Sequence, residues 1–155
     1  MTKYIIIILS LFFYQKIYAA ELSGVPIITD GDTIKIINKR IRLHGIDTPE
    51  KKQICIKNTK EYSCGKEATD ALAKKINGNQ VVCKVQDRLD RYKRYIGVCF
   101  VGEVNLNKWM VRNGYAIAYR RYSKDYIEDE DYAKKNKLGL WAGDFINPEK
   151  WRKLN

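Results

Sequence analysis

The chain has 155 residues, with 29 Lys and Arg against 18 Asp and Glu, a formal charge of +11. That length suits one domain, and that charge selects polyanionic partners, namely nucleic acid, an anionic membrane or acidic glycans, without naming a reaction. The only histidine, His44, excludes a two-histidine acid–base mechanism and a His-rich zinc site, and four cysteines without a CxxC pair disfavour a zinc ribbon.

The first twenty residues, MTKYIIIILSLFFYQKIYAA, combine Lys3, an apolar stretch from Tyr4 to Tyr14 and the small pair Ala19-Ala20. This is the arrangement of a cleaved export signal. The apolar stretch is shorter than the roughly 20 residues of a membrane span; retention as an anchor is the alternative. Cleavage after Ala20 would remove Lys3 and Lys16 and no acid, leaving a domain of residues 21–155 with a formal charge of +9. Such a chain would be periplasmic or secreted, touching a membrane only through a retained leader. In an exported protein an even number of cysteines favours disulfides. Cys55, Cys64, Cys83 and Cys99 allow three connectivities.

Strands come first in the mature chain. Ile27-Ile28, Thr33–Ile37 and Arg40–Ile46 are separated by the Asp30-Gly31-Asp32 and Asn38-Lys39 turns, which predicts a three-strand meander. Pro49 ends it, having no N–H for a ladder. Ser63–Asn77 reads as a helix, with Ala68, Ala71, Leu72 and Ile76 on one face and Gly78 as the stop. Gln80–Gln86 and Tyr95–Val101 read as two more strands around the polar loop DRLDRYKR. Asn105 should cap a short helix carrying Leu106, Trp109 and Met110 inward and ending at Gly114. A charged helix follows within Asp125–Lys137, and Asn147-Pro148 opens a last helical turn. Five short strands, a helix between the third and fourth, and helices afterwards make an α+β domain built on a five-stranded OB-fold barrel.

Three acids then fall at one end of the meander. Asp32 opens the second strand, and Asp47 and Glu50 lie just beyond the third. Carboxylates gathered on one rim need a cation, and oxygen-only ligands favour a hard one such as Ca²⁺ or Mg²⁺. Arg42 alternates with Ile41 and Leu43, and Arg94 begins the fifth strand. Two guanidinium forks beside a carboxylate-bound cation suit a phosphodiester gathering charge in its transition state. Tyr92, and Tyr119 and Tyr122 interleaved with Arg120, Arg121 and Lys124, suit bases stacked over a charged backbone. His44, a lone strand residue, reads as structural.

DGDT, RLHGIDTPE, DRYKR, GYAIAYRRYSKDY and LGLWAG, in this order, resemble the staphylococcal nuclease (thermonuclease) family, in its exported bacterial branch with paired cysteines. The resemblance runs from about Val25 to the C-terminus. It implies an OB-fold barrel with about three helices and Ca²⁺-dependent cleavage of DNA and RNA, single-stranded or frayed by preference. It further implies Asp32 and Asp47 as the carboxylate ligands of the calcium, Thr48 as a backbone-carbonyl ligand, Glu50 as the residue that handles the attacking water, and Arg42 and Arg94 as the phosphate clamps. Arg91 and Tyr92 match a Lys-Tyr pair near the nucleotide, Tyr119 matches the first substrate-side tyrosine, and Tyr122 lies near the second. Asp30 is left to shape the turn and add negative potential. Lys93 stands where the family usually has Gly. The other reading of the chain is a non-catalytic OB module that binds nucleic acid, for which the full Asp32, Arg42, Asp47, Glu50 and Arg94 set has no use. No stable protein partner is expected. The expected disulfides are Cys83–Cys99, on strands that pair through the polar loop, and Cys55–Cys64, closing the segment after Glu50.

Overall fold

A computed structural model describes residues 20–155; the proposed leader, apart from Ala20, lies outside them. In chain order the strands and helices are β1 (Ala20–Gly24), β2 (Ile27–Asp30), β3 (Thr33–Ile36), β4 (Lys39–Leu43), β5 (Ile46–Asp47), β6 (Cys55–Lys57), β7 (Lys60–Tyr62), α1 (Cys64–Ile76), β8 (Val81–Val85), β9 (Tyr95–Val101), β10 (Val104–Asn105), α2 (Leu106–Arg112), β11 (Ile117–Ala118), α3 (Ile127–Lys135), a 3₁₀ turn (Gly139–Ala142) and α4 (Pro148–Leu154).

The meander forms as expected: β2, β3 and β4 pair antiparallel in succession. The turn between β3 and β4 places Ile37 and Asn38 at φ 43° and 63°. β4 then runs parallel to β9, which pairs antiparallel with β8. This curled sheet with helices packed on it is an α+β, OB-like barrel.

The first strand was not expected. β1 pairs with β8, with Gly24 opposite Val81 and Ala20 opposite Val85. The sheet order is therefore β1-β8-β9-β4-β3-β2, with the first two strands of the chain at opposite edges. They are joined by Val25-Pro26 alone. Pro26 cannot donate to a ladder, so the run breaks there and changes neighbours, carrying the chain from one edge to the other.

The core is filled from both layers. Ile34, Ile36, Ile41, Leu43, Val81 and Val85 come from the strands, Ala68, Leu72 and Ile76 from α1, and Leu106 and Met110 from α2. The expected faces of α1 and α2 are thus the buried ones, though Trp109 is only partly covered and stacks on Tyr115 at 5.6 Å. Asn105 caps α2 by accepting from Lys108 N at 2.9 Å, and Asn147 caps α4 by accepting from Glu149 N at 2.9 Å.

Both disulfides pair as expected. Cys83 and Cys99 face each other directly across β8 and β9. Cys55–Cys64 fastens the β6–β7 hairpin, which the sequence reading left unassigned, to the start of α1.

Candidate active site

The rim of the barrel where β2 and β4 end and β3 begins carries a cavity of about 70 Å³, lined by Asp30, Asp32, Arg42, Thr48, Pro49, Glu50 and Arg94. Packing puts these residues together. Gly31 lets the turn pack closely, since a Cβ there would meet Thr48 and Ala68 side chains at 3.0 Å and push them back. Gly65, at the start of α1, lies so close to the Glu50 carbonyl oxygen that a Cβ would sit 1.8 Å from it. Thr48 N donates to Asp32 Oδ2 at 3.3 Å, so the segment after β5 closes directly onto the turn.

Asp32 is buried, accepts from Thr33 Oγ1 at 3.0 Å and is paired with Arg42. Burial pushes its carboxyl up, but the charge and hydrogen bond of Arg42 outweigh this and hold it below the usual range. Asp30 shows the opposite balance. Burial, and then the negative charge of Asp32, push it up to about 6. Asp30 thus lines the cavity as well as shaping the turn, where Asp32 N donates to its Oδ1 at 3.1 Å.

Arg42 joins the acids. Its Nη2 donates to Asp47 Oδ1 at 2.9 Å and to the Ile46 carbonyl at 3.3 Å. Asp47 is fully buried behind the cavity wall. On its other side stands Arg152 of α4, with Nη1 to Oδ1 at 3.1 Å and Nη2 to Oδ2 at 2.9 Å. Arg152 Nη1 also reaches Glu50 Oε1 at 2.8 Å. Nothing in the sequence reading singled out Arg152: it is one basic residue in a Lys- and Arg-rich tail, 102 positions from Glu50. Asp32, Asp47 and Glu50 pair with two guanidinium groups, those of Arg42 and Arg152, and Asp30 adds a fourth acid that feels only the charge of Arg42. The rim carries a surplus of two formal negative charges when all four acids are ionised, which is the charge of one divalent cation.

Arg94 arrives from the opposite direction. Its Nε and Nη2 bind Asp90 Oδ2 at 2.9 and 2.8 Å, while Nη1 reaches Thr33 Oγ1 at 3.3 Å, next to Asp32. Asp90, also missed from sequence, organises the loop by accepting from the backbone N–H groups of Tyr92 and Arg94, both at 2.9 Å. Lys93 sits at φ 58°, so the left-handed conformation natural to Gly is kept with a residue that adopts it at a cost of about 1–2 kcal/mol.

The ring of Tyr92 is half exposed, with Arg91 and Arg94 within 4.7 and 5.1 Å of its centroid. Its carbonyl accepts from Arg40 Nη2 at 2.6 Å, tying the loop to β4. Tyr119 and Tyr122 meet edge to face at 4.8 Å, with Tyr122 exposed. Burial and the charge of Asp47 push the Tyr119 hydroxyl up; Tyr119 lines the groove beside Trp141 and Phe145, not the rim cavity. Arg120 and Arg121, expected to line a nucleic-acid path, are engaged elsewhere: Arg120 with Glu130 at 2.6 Å and Arg121 with Glu149 at 3.4 Å. His44 contributes backbone groups, its N–H to Gly97 O at 2.7 Å and its carbonyl to Asn107 Nδ2 at 2.9 Å.

A family model described as "Staphylococcal nuclease homologue" matches residues 40–143. The chain belongs to that family. An uncharacterized endonuclease of Escherichia coli O157:H7 is 34% identical over 160 residues, covering 98% of each chain. A micrococcal nuclease of Shigella flexneri is 35% identical over 83% of this chain and 78% of its own length. A relative from Rhizobium meliloti with another printed name, succinoglycan biosynthesis protein ExoI, is 33% identical over 79% of this chain and 66% of its own. Family membership supports a nuclease, a hydrolase with nucleic acid as substrate.

Proposed function

We propose that the protein is an exported, calcium-dependent nuclease that hydrolyses phosphodiester bonds of DNA and RNA. The observation that carries this reading is the rim itself: four carboxylates stand against two guanidiniums, beside a cavity that a third arginine enters. The donors present are all oxygens, which suits a hard cation. Among the described residues no three His, Cys, Asp or Glu side chains form a ready-made metal cage. The resemblance assigns a cation to the Asp32 and Asp47 carboxylates and the Thr48 carbonyl, of which Asp32 and Thr48 line the cavity and Asp47 lies buried behind it, with water completing the six to eight oxygens that calcium takes. When bound it would supply electrophilic polarisation of the phosphate.

The chain's own groups divide the remaining work. Arg42 and Arg94 approach the cavity from two sides, and their forks match non-bridging phosphate oxygens. Arg94 is held by Asp90 and reaches Thr33, so its guanidinium is aimed before substrate arrives. Glu50, half exposed at the cavity mouth, orients the attacking water and takes its proton. Tyr92, Tyr119 and Tyr122 offer ring faces to the bases flanking the scissile phosphate, which favours single-stranded or frayed substrate. Two disulfides fit an oxidising compartment outside the cytoplasm.

Digestion of plasmid DNA and of RNA with added calcium, and again in excess EGTA, tests the reading. Cleavage should require the cation, and full activity in EGTA would overturn it. Arg94→Ala should lower kcat about 10²–10³-fold with KM little changed, and Arg94→Lys, which keeps the charge without the fork, should recover only part.

A further inference from the structure

The family match ends at residue 143, yet the chain continues into α4, and α4 is built onto the rim. Gln53, fully buried, makes the join. Its Nε2 donates to the Ile146 carbonyl at 2.6 Å, and its Oε1 accepts from Glu50 N at 3.2 Å. Its own N–H donates to the Glu50 carbonyl at 2.7 Å. The backbone of Glu50 is thereby tied to the segment that leads into α4. One turn inside that helix stands Arg152, and it takes hold of the Glu50 side chain.

We infer that Arg152 is a positioning residue for Glu50, supplied from outside the matched family domain by the C-terminal helix. The inference rests on the nuclease reading of the rim. A glutamate that is 39% exposed would otherwise sample several rotamers, and only some of these point its carboxylate at a water beside the phosphate. Arg152 removes that freedom because it is itself fixed. Two parallel bonds anchor its guanidinium on Asp47, which no water reaches. The Nη1 group that faces Glu50 is therefore oriented before Glu50 meets it. Positioning of this kind acts on kcat, since a water held in line is worth most when the new bond forms.

Kinetics of Arg152→Gln, Arg152→Lys, Glu50→Gln and the double variant Arg152→Gln/Glu50→Gln test this, with folding checked by circular dichroism. Arg152→Gln should lower kcat about 10–100-fold with KM within about threefold, an effect of the size that a misplaced catalytic group produces. Arg152→Lys should recover part of the loss. In the Glu50→Gln background Arg152→Gln should change kcat by less than about twofold, because a residue that acts through another has nothing left to act on. In the metal-free protein, NMR of the Glu50 carboxyl group should report one conformer, and rotamer averaging in Arg152→Gln. Unchanged kcat in Arg152→Gln, or a loss of equal size with and without Glu50, would overturn the inference while leaving the nuclease reading intact. Wild-type cleavage by Glu50→Gln would instead overturn the reading of Glu50 on which the inference stands.

Discussion

Two clusters of buried carboxylates and cations in this molecule are built on different terms. Glu130 on α3 is 1% exposed. Its Oε1 accepts from Ala118 N at 3.1 Å, and its Oε2 from Arg120 Nη2 and Lys134 Nζ, both at 2.6 Å. One anion meets two cations and a backbone donor, so burial is more than compensated and its carboxyl is held below the usual range. At the rim the ratio is reversed, with four acids to two guanidiniums, and Asp30 is pushed up to about 6. The Glu130 side even faces the larger groove, about 630 Å³ beside Trp141 and Phe145. Volume is therefore a poor guide to chemistry here. Uncompensated charge is the better one, because a matched cluster asks for no ligand and a surplus does.

Three substitutions separate the two clusters. Asp32→Asn should have the largest effect, and on function. Cleavage at limiting calcium should fall about 10²–10³-fold, and the metal-free protein should also lose stability at pH 8, because Arg42 holds the Asp32 carboxyl below the usual range. Relief of repulsion with Asp30 offsets only part of the lost Arg42 contact. A stability loss in urea melts with cleavage unchanged would place Asp32 with the structural cluster instead.

Glu130→Gln should affect stability alone. It should lower stability by about 2 kcal/mol at pH 7, since Arg120 and Lys134 remain near water and can be resolvated, and leave kcat unchanged at temperatures where the variant is folded. A depressed folded-state pKa contributes stability above the ordinary glutamate value of 4.5 and loses it as pH falls through the folded value. The deficit should therefore vanish in acid, and a pH series of melts checks it.

The third effect is a gain. Asp30→Asn keeps the acceptor for Asp32 N and removes a carboxylate that the fold disfavours. A raised folded-state pKa contributes stability at low pH and loses it as pH rises from 3.8 through about 6. The metal-free variant should thus be more stable than the parent by about 2 kcal/mol at pH 8 and equal to it at pH 3. Equal stability at both pH values would mean that the rim is as well compensated as Glu130.

Much of this was legible in the sequence because its signals are local. The turns around β3 announce the meander, the spacing of Ala68, Leu72 and Ile76 gives α1 its face, and Cys83 and Cys99 fall on strands that had to pair. The residues that escaped act through long-range contacts with no local pattern. AELSG has no run of β-branched residues to mark β1, and its partner is β8. Arg152, Gln53 and Glu130 look like ordinary polar residues until the fold buries or joins them. Arg120 shows the converse: its place among tyrosines suggested nucleic acid, and packing gave it to Glu130.

The corner at Val25-Pro26 bears on how the chain folds. The strands that share this corner pair at opposite edges, and the nearest β1 partner, Val81 opposite Gly24, comes 57 residues later. β2 to β4 and the β6–β7 hairpin can zip from their own turns, paying little loop-closure entropy. The β1–β8 seam cannot; it must wait for α1 and β8 and close a loop of that length in one step. High contact order of this kind slows the search for the native state. The seam is thus a late closure of the fold, together with β4–β9 and β5–β11, where Ile41 meets Tyr95 and Asp47 meets Ile117.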